Sequence, residues 1–108
     1  MHIINANLEG ADLREAKLVG IDLSEANLRK AKLDGANLNW TMLRRANLLE
    51  SYLLWTNLTG ANLEWAKFKE AHYLTFDQLS KVKTLHDAKL NTEFLNPLKK
   101  EYAHLFER

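Results

Sequence analysis

Leucine recurs at every fifth position without interruption, at Leu8, Leu13, Leu18, Leu23, Leu28, Leu33, Leu38, Leu43, Leu48, Leu53, Leu58 and Leu63. Ile3 precedes the series, and Phe68 and Tyr73 extend it. Two residues ahead of most of these centres stands an alanine, as at Ala6, Ala11, Ala16, Ala26, Ala31, Ala36, Ala46, Ala61, Ala66 and Ala71. Ile21, Thr41, Ser51 and Thr56 break that rule, and three of the four are small and polar. The three remaining positions of each unit are mostly polar or charged.

No regular element puts every fifth residue on one side. In an α-helix five residues advance about 500°, so successive leucines step ~140° around the axis and form no stripe. In a flat strand side chains alternate, and an odd spacing sends successive leucines to opposite faces. The chain must instead turn a corner once per pentapeptide, always in the same sense. Four corners close a coil of 20 residues, and the next coil stacks at about 4.8 Å, the spacing of paired strands. The small residue and the leucine then point inward, and the other three point out. Residues 20 apart become vertical neighbours, so Leu8, Leu28, Leu48 and Phe68 form one interior column and Leu13, Leu33, Leu53 and Tyr73 another. Each fully buried leucine contributes roughly 1.5–3 kcal/mol, shared only between adjacent coils. Residues 1–75 form this repeat domain and supply almost four coils.

After Tyr73 the period fails, and residues 76–108 form a C-terminal cap. Thr75-Phe76-Asp77-Gln78 fits a capping box and predicts a short helix over about 76–83. Leu85 and Leu90 return at five-residue spacing with Ala88 two before the second, which predicts resumed coil over about 84–91. Asn96-Pro97-Leu98-Lys99 has asparagine and proline in the cap and first-turn positions, with a start up to three residues earlier allowed, giving a helix over about 94–107. Leu98, Tyr102, Leu105 and Phe106 then share one face, suited to covering the open last coil.

Units such as Ala6-Asn7-Leu8-Glu9-Gly10, Ala11-Asp12-Leu13-Arg14-Glu15, Ala36-Asn37-Leu38-Asn39-Trp40 and Ala61-Asn62-Leu63-Glu64-Trp65 resemble the pentapeptide-repeat family, whose signature is A-(D/N)-L-x-x. The resemblance implies an all-β solenoid, a right-handed quadrilateral β-helix of about four 20-residue coils with a C-terminal α-helical cap. Handedness comes from the resemblance alone.

Composition adds exclusions. Fifteen Lys and Arg face 14 Asp and Glu, which argues against a nucleic-acid partner. There is no cysteine, so no disulfide and no thiolate metal site is expected. The N-terminus carries no basic segment followed by an apolar core, and no apolar run approaches the ~20 residues of a membrane helix, so no signal peptide and no membrane partner are expected and the cytoplasm is the default location. His2, His72, His86 and His104 have no metal-ligand spacing. Gly10, Gly20, Gly35 and Gly60 all fall two residues after a leucine and read as corner residues, not a phosphate loop. Asp12 and Lys32, 20 apart, predict a vertical salt bridge. No catalytic residue, cofactor or metal is expected, and the chain reads as not an enzyme.

Function therefore falls to the outer surface. Asn7, Asn27 and Asn47 form a structural ladder, and Trp40 falls between Gly20 and Gly60, able to lie flat across them. Trp65 lies one coil beyond Arg45, within cation–π reach. Leu49, Tyr52, Leu54, Trp55 and Leu74 form an apolar outward cluster, either a contact surface for a protein partner or ground covered by residues 92–108. The leading reading is a non-catalytic scaffold for an unknown protein partner. One alternative, implied only by the resemblance, is mimicry of DNA toward a type II topoisomerase, disfavoured because residues 1–75 hold nine acidic and nine basic side chains. Another is a structural module of a longer protein. The repeat begins at Ile3 with nothing before it, which leaves the first coil bare and open to a homodimer through that end.

Overall fold

The computed structural model describes residues 4–108, so Ile3 and His2 lie outside the described residues. Four ladders of parallel bridges run through it, starting at Asn7, Asp12, Lys17 and Asp22. Through residue 72 successive rungs are 20 residues apart, as in Asn7–Asn27–Asn47–Lys67 and Asp12–Lys32–Tyr52–His72. The chain is a β-helix solenoid. Each coil donates upward from its leucine amide, as Leu28 does to Asn47 O at 2.8 Å, and accepts at its alanine carbonyl, as Ala26 O does from Asn47 at 3.0 Å.

The corner has a single backbone solution. Every fifth residue from Asn5 to Glu70 has a φ near +60°, whether it is glycine or Trp55. Where Asp or Asn precedes the leucine it braces the turn: the Ser24, Arg29 and Leu49 amides donate to Asp22, Asn27 and Asn47 Oδ1 at 3.0, 3.1 and 3.1 Å. This side-chain bond is the physical reason for Asp or Asn in the signature.

Leu23 through Leu63 are buried, with the alanines of the second and later coils beside them. Leu8, Leu13 and Leu18 are only partly buried, because among the described residues just one coil packs on them. Thr41, Ser51 and Thr56 take alanine positions without orphaning a hydroxyl: Thr41 donates to Leu38 O, Ser51 to Leu48 O at 2.8 Å and Thr56 to Leu33 O at 2.8 Å.

The repeat ends in a way its spacing does not anticipate. Tyr73, expected inside, is 61% exposed, and Leu74, expected outside, is buried. The cause is the left-handed turn, which falls at Tyr73 itself (φ 66°) instead of two residues later. Helix α1 follows over Phe76–Ser80, with the Thr75/Gln78 capping box in place, and buries Leu79. It stops short of residue 83 because Lys81 is drawn back to the coil, where its carbonyl accepts the Gly60 amide at 2.9 Å. Coil resumes at Thr84 and Lys89, which bridge Asn62 and Lys67. The register there is 22, the helix having added two residues.

Helix α2 spans Thr92–Glu101 and a 3-10 turn spans Ala103–Phe106, where one helix over 94–107 was predicted. Asn91, not Asn96, holds the cap position, and Pro97 lies within the helix. Proline brings no N–H, so the carbonyl four residues before it goes without that helical bond. The break falls at Tyr102, whose amide still reaches Leu98 O at 2.7 Å while its own backbone leaves the helical region. Leu98 and Leu105 are buried in the same cluster as the coil leucines, and the Leu85 amide donates to Leu105 O at 2.7 Å. Tyr102 is exposed and Phe106 half-buried, so the predicted apolar face of four is carried by Leu98 and Leu105. No helix among the described residues is long and apolar enough to cross a membrane.

Candidate functional site

The upper half of the Asp12 ladder, Tyr52 and His72, and the corner after it present aromatic side chains outward. Tyr52 stacks on His72, one coil above, with ring centroids 4.4 Å apart and planes 14° from parallel. Leu49 and Leu54 are half-buried. Trp55 occupies the left-handed corner (φ 59°), which throws its ring outward to 82% exposure, so residues 92–108 do not cover it. Of the five residues expected to form this surface, Leu74 is withdrawn into the core and Tyr73 stands on the surface in its place. Period alone hides that exchange; the clue was that a polar-capable ring sat in an aliphatic column just before a capping box. Phe76 is exposed as well and packs on Phe94 at 5.1 Å.

Beside Trp55 the surface is concave. A groove of about 480 Å³ runs between the Trp55–Thr59 rim and α1, bounded by Tyr73, Gln78 and Lys81. It exists because α1 replaces the fourth rung of the Lys17 ladder, which ends at Asn57. Gln78 bridges the gap: its Oε1 accepts from the Thr75 amide at 2.8 Å, and its Nε2 donates to Leu53 O at 2.8 Å and Thr56 O at 2.9 Å. The charges on this wall neutralise each other, Lys81 lying 3.2 Å from Asp77.

Elsewhere the expected ring contacts are met in part. Arg45 lies over the Trp65 ring at 5.2 Å. Trp40 packs on Gly60 but not across Gly20, where a side chain would meet open space. A Cβ on Gly60 would overlap the Trp40 ring carbons, and the backbone there has φ +73°. Gly60→Ala and Gly10→Ala each put alanine in a left-handed position, a cost of about 1–2 kcal/mol. Gly60→Ala is expected to lose more than Gly10→Ala in thermal unfolding, because only it evicts a ring; equal losses would count against the packing.

Charge on the surface is mixed and locally paired. The Asp12 carboxylate forms no salt bridge with Lys32: Arg14 in the same coil takes both its oxygens, at 2.9 and 2.7 Å. Vertical pairs form where longer side chains face each other, as in Arg44–Glu64 at 2.7 Å and Arg29 between Glu9 (3.6 Å) and Glu50 (3.2 Å). The Arg14 side-chain bond, backed by its amide, lowers the Asp12 carboxyl to about 2 from an ordinary 3.8. A depressed carboxyl pKa adds stability above the unfolded value that is lost as pH falls through the folded one, here from about 4 to about 2. An NMR titration of Asp12 is expected to show its midpoint near 2 and a return toward the ordinary value in Arg14→Ala; an unshifted wild-type midpoint would contradict the pairing.

Among the described residues no group of three or more His, Asp or Glu side chains is placed to hold a metal ion. The described histidines are engaged in separate contacts. His72 lies on Tyr52, His86 approaches Asp87 at 2.9 Å, and His104 lies edge-on to Tyr102.

The family profile "Pentapeptide repeats" matches residues 6–45 and 37–72 of the chain, in eight copies. Among solved structures, a pentapeptide repeat protein (Rfr23) from the cyanobacterium Cyanothece 51142 is 30% identical with a TM-score of 0.65, over 84% of this chain and 57% of that one. The chain thus spans little more than half the length of that protein. A pentapeptide repeat protein of the Arabidopsis thaliana thylakoid lumen is 22% identical (TM-score 0.43, 89% of this chain and 72% of that one). HetL, a protein involved in heterocyst differentiation regulation in Nostoc, is 32% identical (TM-score 0.39, 66% and 38%). At those two TM-scores the superpositions carry no weight. No curated protein matches.

Proposed function

The chain belongs to the pentapeptide-repeat family, and from that membership we propose that it is a non-catalytic scaffold which binds another protein through the aromatic corner around Trp55. On this reading the coils are right-handed and quadrilateral, α2 and the 3-10 turn close their C-terminal end, and the rigid stack holds one side of the solenoid flat for contact. The observation that carries it is the exposure of Trp55, with Tyr73, the Tyr52–His72 stack and Leu54 adjoining. Contiguous apolar ground of this kind on a folded chain marks contact surfaces, and tryptophan and tyrosine dominate binding energy where they are found. Mimicry of DNA draws no support from the surface, since arginines neutralise Glu9, Glu50 and Glu64 in place.

The test is site-specific photo-crosslinking in cells of the source organism, with a benzophenone amino acid at position 55 or, on another ladder, at Met42. A discrete protein adduct is expected from position 55 only. It should be competed by unlabelled chain, and Trp55→Ala with Tyr73→Ala should weaken that competition on the order of tenfold or more. Equal labelling from both positions, or competition unaffected by the double variant, would sink the reading.

A further inference from the structure

The hydrogen-bond ladder on the upper rim of the third coil is broken over one short stretch. The Leu53 amide reaches His72 O at 2.9 Å, and the Gly60 amide reaches Lys81 O at 2.9 Å. Between these rungs the Trp55 and Leu58 amides occupy donor positions and make no hydrogen bond. One coil below, the same two positions are Gly35 and Leu38, which donate to Leu54 O and Asn57 O at 2.8 Å each. A complete rung is therefore two carbonyls three residues apart on either side of a left-handed corner, as Leu54 O and Asn57 O lie about Trp55. Helix α1 cannot supply it, because a helix aligns its carbonyls along its own axis. It supplies the Gln78 amide group to two of the acceptors, Leu53 O and Thr56 O, and leaves both donors open to the groove that Trp55 and Leu58 line.

Resting on the interaction surface proposed above, we infer that this groove takes a peptide segment of the partner that turns a corner as the coils do, added along the Trp55–Thr59 rim. Its carbonyls accept from the Trp55 and Leu58 amides, and its side chains lie against the Trp55 and Tyr73 rings. A segment added to an open ladder draws affinity from main-chain bonds and specificity from the walls beside them. The groove's own chemistry favours a neutral main chain over an ionic ligand: its exposed rings offer apolar contact, and its charged pair, Asp77 and Lys81, is already matched. The ladder dictates the spacing of the acceptors, since the protein satisfies the same two donors in the same way one coil down.

The experiment uses the full chain and a phage library of random linear peptides, with selected peptides then synthesised and added to ¹⁵N-labelled protein. In the free chain the Trp55 and Leu58 amides are expected to exchange with solvent far faster than those of Gly35 and Leu38. Bound peptide is expected to slow both on the order of tenfold or more, as new ladder bonds do. Trp55→Ala combined with Tyr73→Ala should weaken the same peptides on the order of tenfold. Trp55 and Leu58 amides already as protected as Gly35 and Leu38 in the free chain would overturn the inference. So would peptides that bind while both amides exchange unchanged. A Trp55-dependent crosslink to a partner, with no linear peptide selected, would overturn peptide addition alone and leave the contact surface standing; loss of the crosslink as well would remove both.

Discussion

Leu48→Ala is expected to cost about 2–5 kcal/mol of stability, the range for emptying a well-packed aliphatic site. Leu48 is wholly buried, in a column between Leu28 and Phe68 that are buried too. Its loss opens a void facing two coils at once. In a solenoid stability is the sum of each coil and its contacts with the next, so a defect in the middle weakens two interfaces. The control is Leu8→Ala in the first coil, where the leucine is only partly buried and has one described neighbour above it. That variant is expected to lose clearly less in a urea titration. If the two midpoints fell equally, burial by stacking on both sides would not be the source of the column's strength.

Ala36→Leu is expected to destabilise from the opposite direction, by about 1–3 kcal/mol or more. Ala36 is completely buried, with the Thr56 position above it in the column, and the Thr56 hydroxyl is bonded to Leu33 O at 2.8 Å. Added carbons have no free volume to enter, and forcing them in displaces that hydroxyl from its acceptor. An unfilled hydroxyl in a dry interior adds its own penalty, about 1–3 kcal/mol. Ala16→Leu provides the comparison, because Ala16 is only partly buried in the first coil. A melting temperature unchanged by Ala36→Leu would falsify the inward placement of the small residue.

The two substitutions probe what the period made legible. A leucine and a small residue at fixed phase need a chain that turns every five residues, and the ladders at a spacing of 20 follow from closing four such turns. The Asx residue was legible as a structural ladder hydrogen-bonded to loop backbone, though not that the donor is the amide two residues on. Less legible was the point of departure. Tyr73 keeps the phase of the leucine column, and Leu74 the phase of the surface, yet their places are exchanged. Five-residue periodicity assigns sides only while the left-handed corner recurs on schedule, and at Tyr73 it arrives early. That one shift alters the candidate site, because it places an aromatic ring opposite Trp55 and lets α1 displace a rung. The Asp12 pairing failed for a similar reason of reach: the Arg14 fork closes on the carboxylate within its own coil before Lys32 can.

By itself the sequence determined the coil: its period, its inward residues, its family, and the capping box that starts α1. Those depend on contacts between residues whose spacing recurs, so every unit repeats the evidence. Only the tertiary structure decided where the recurrence stops, which of Tyr73 and Leu74 faces the solvent, where α2 begins and ends, and that Gln78 closes part of an interrupted ladder. Each of these is set once, by competition between a helix and the coil edge for the same hydrogen bonds, and a contest settled by packing leaves no period behind it.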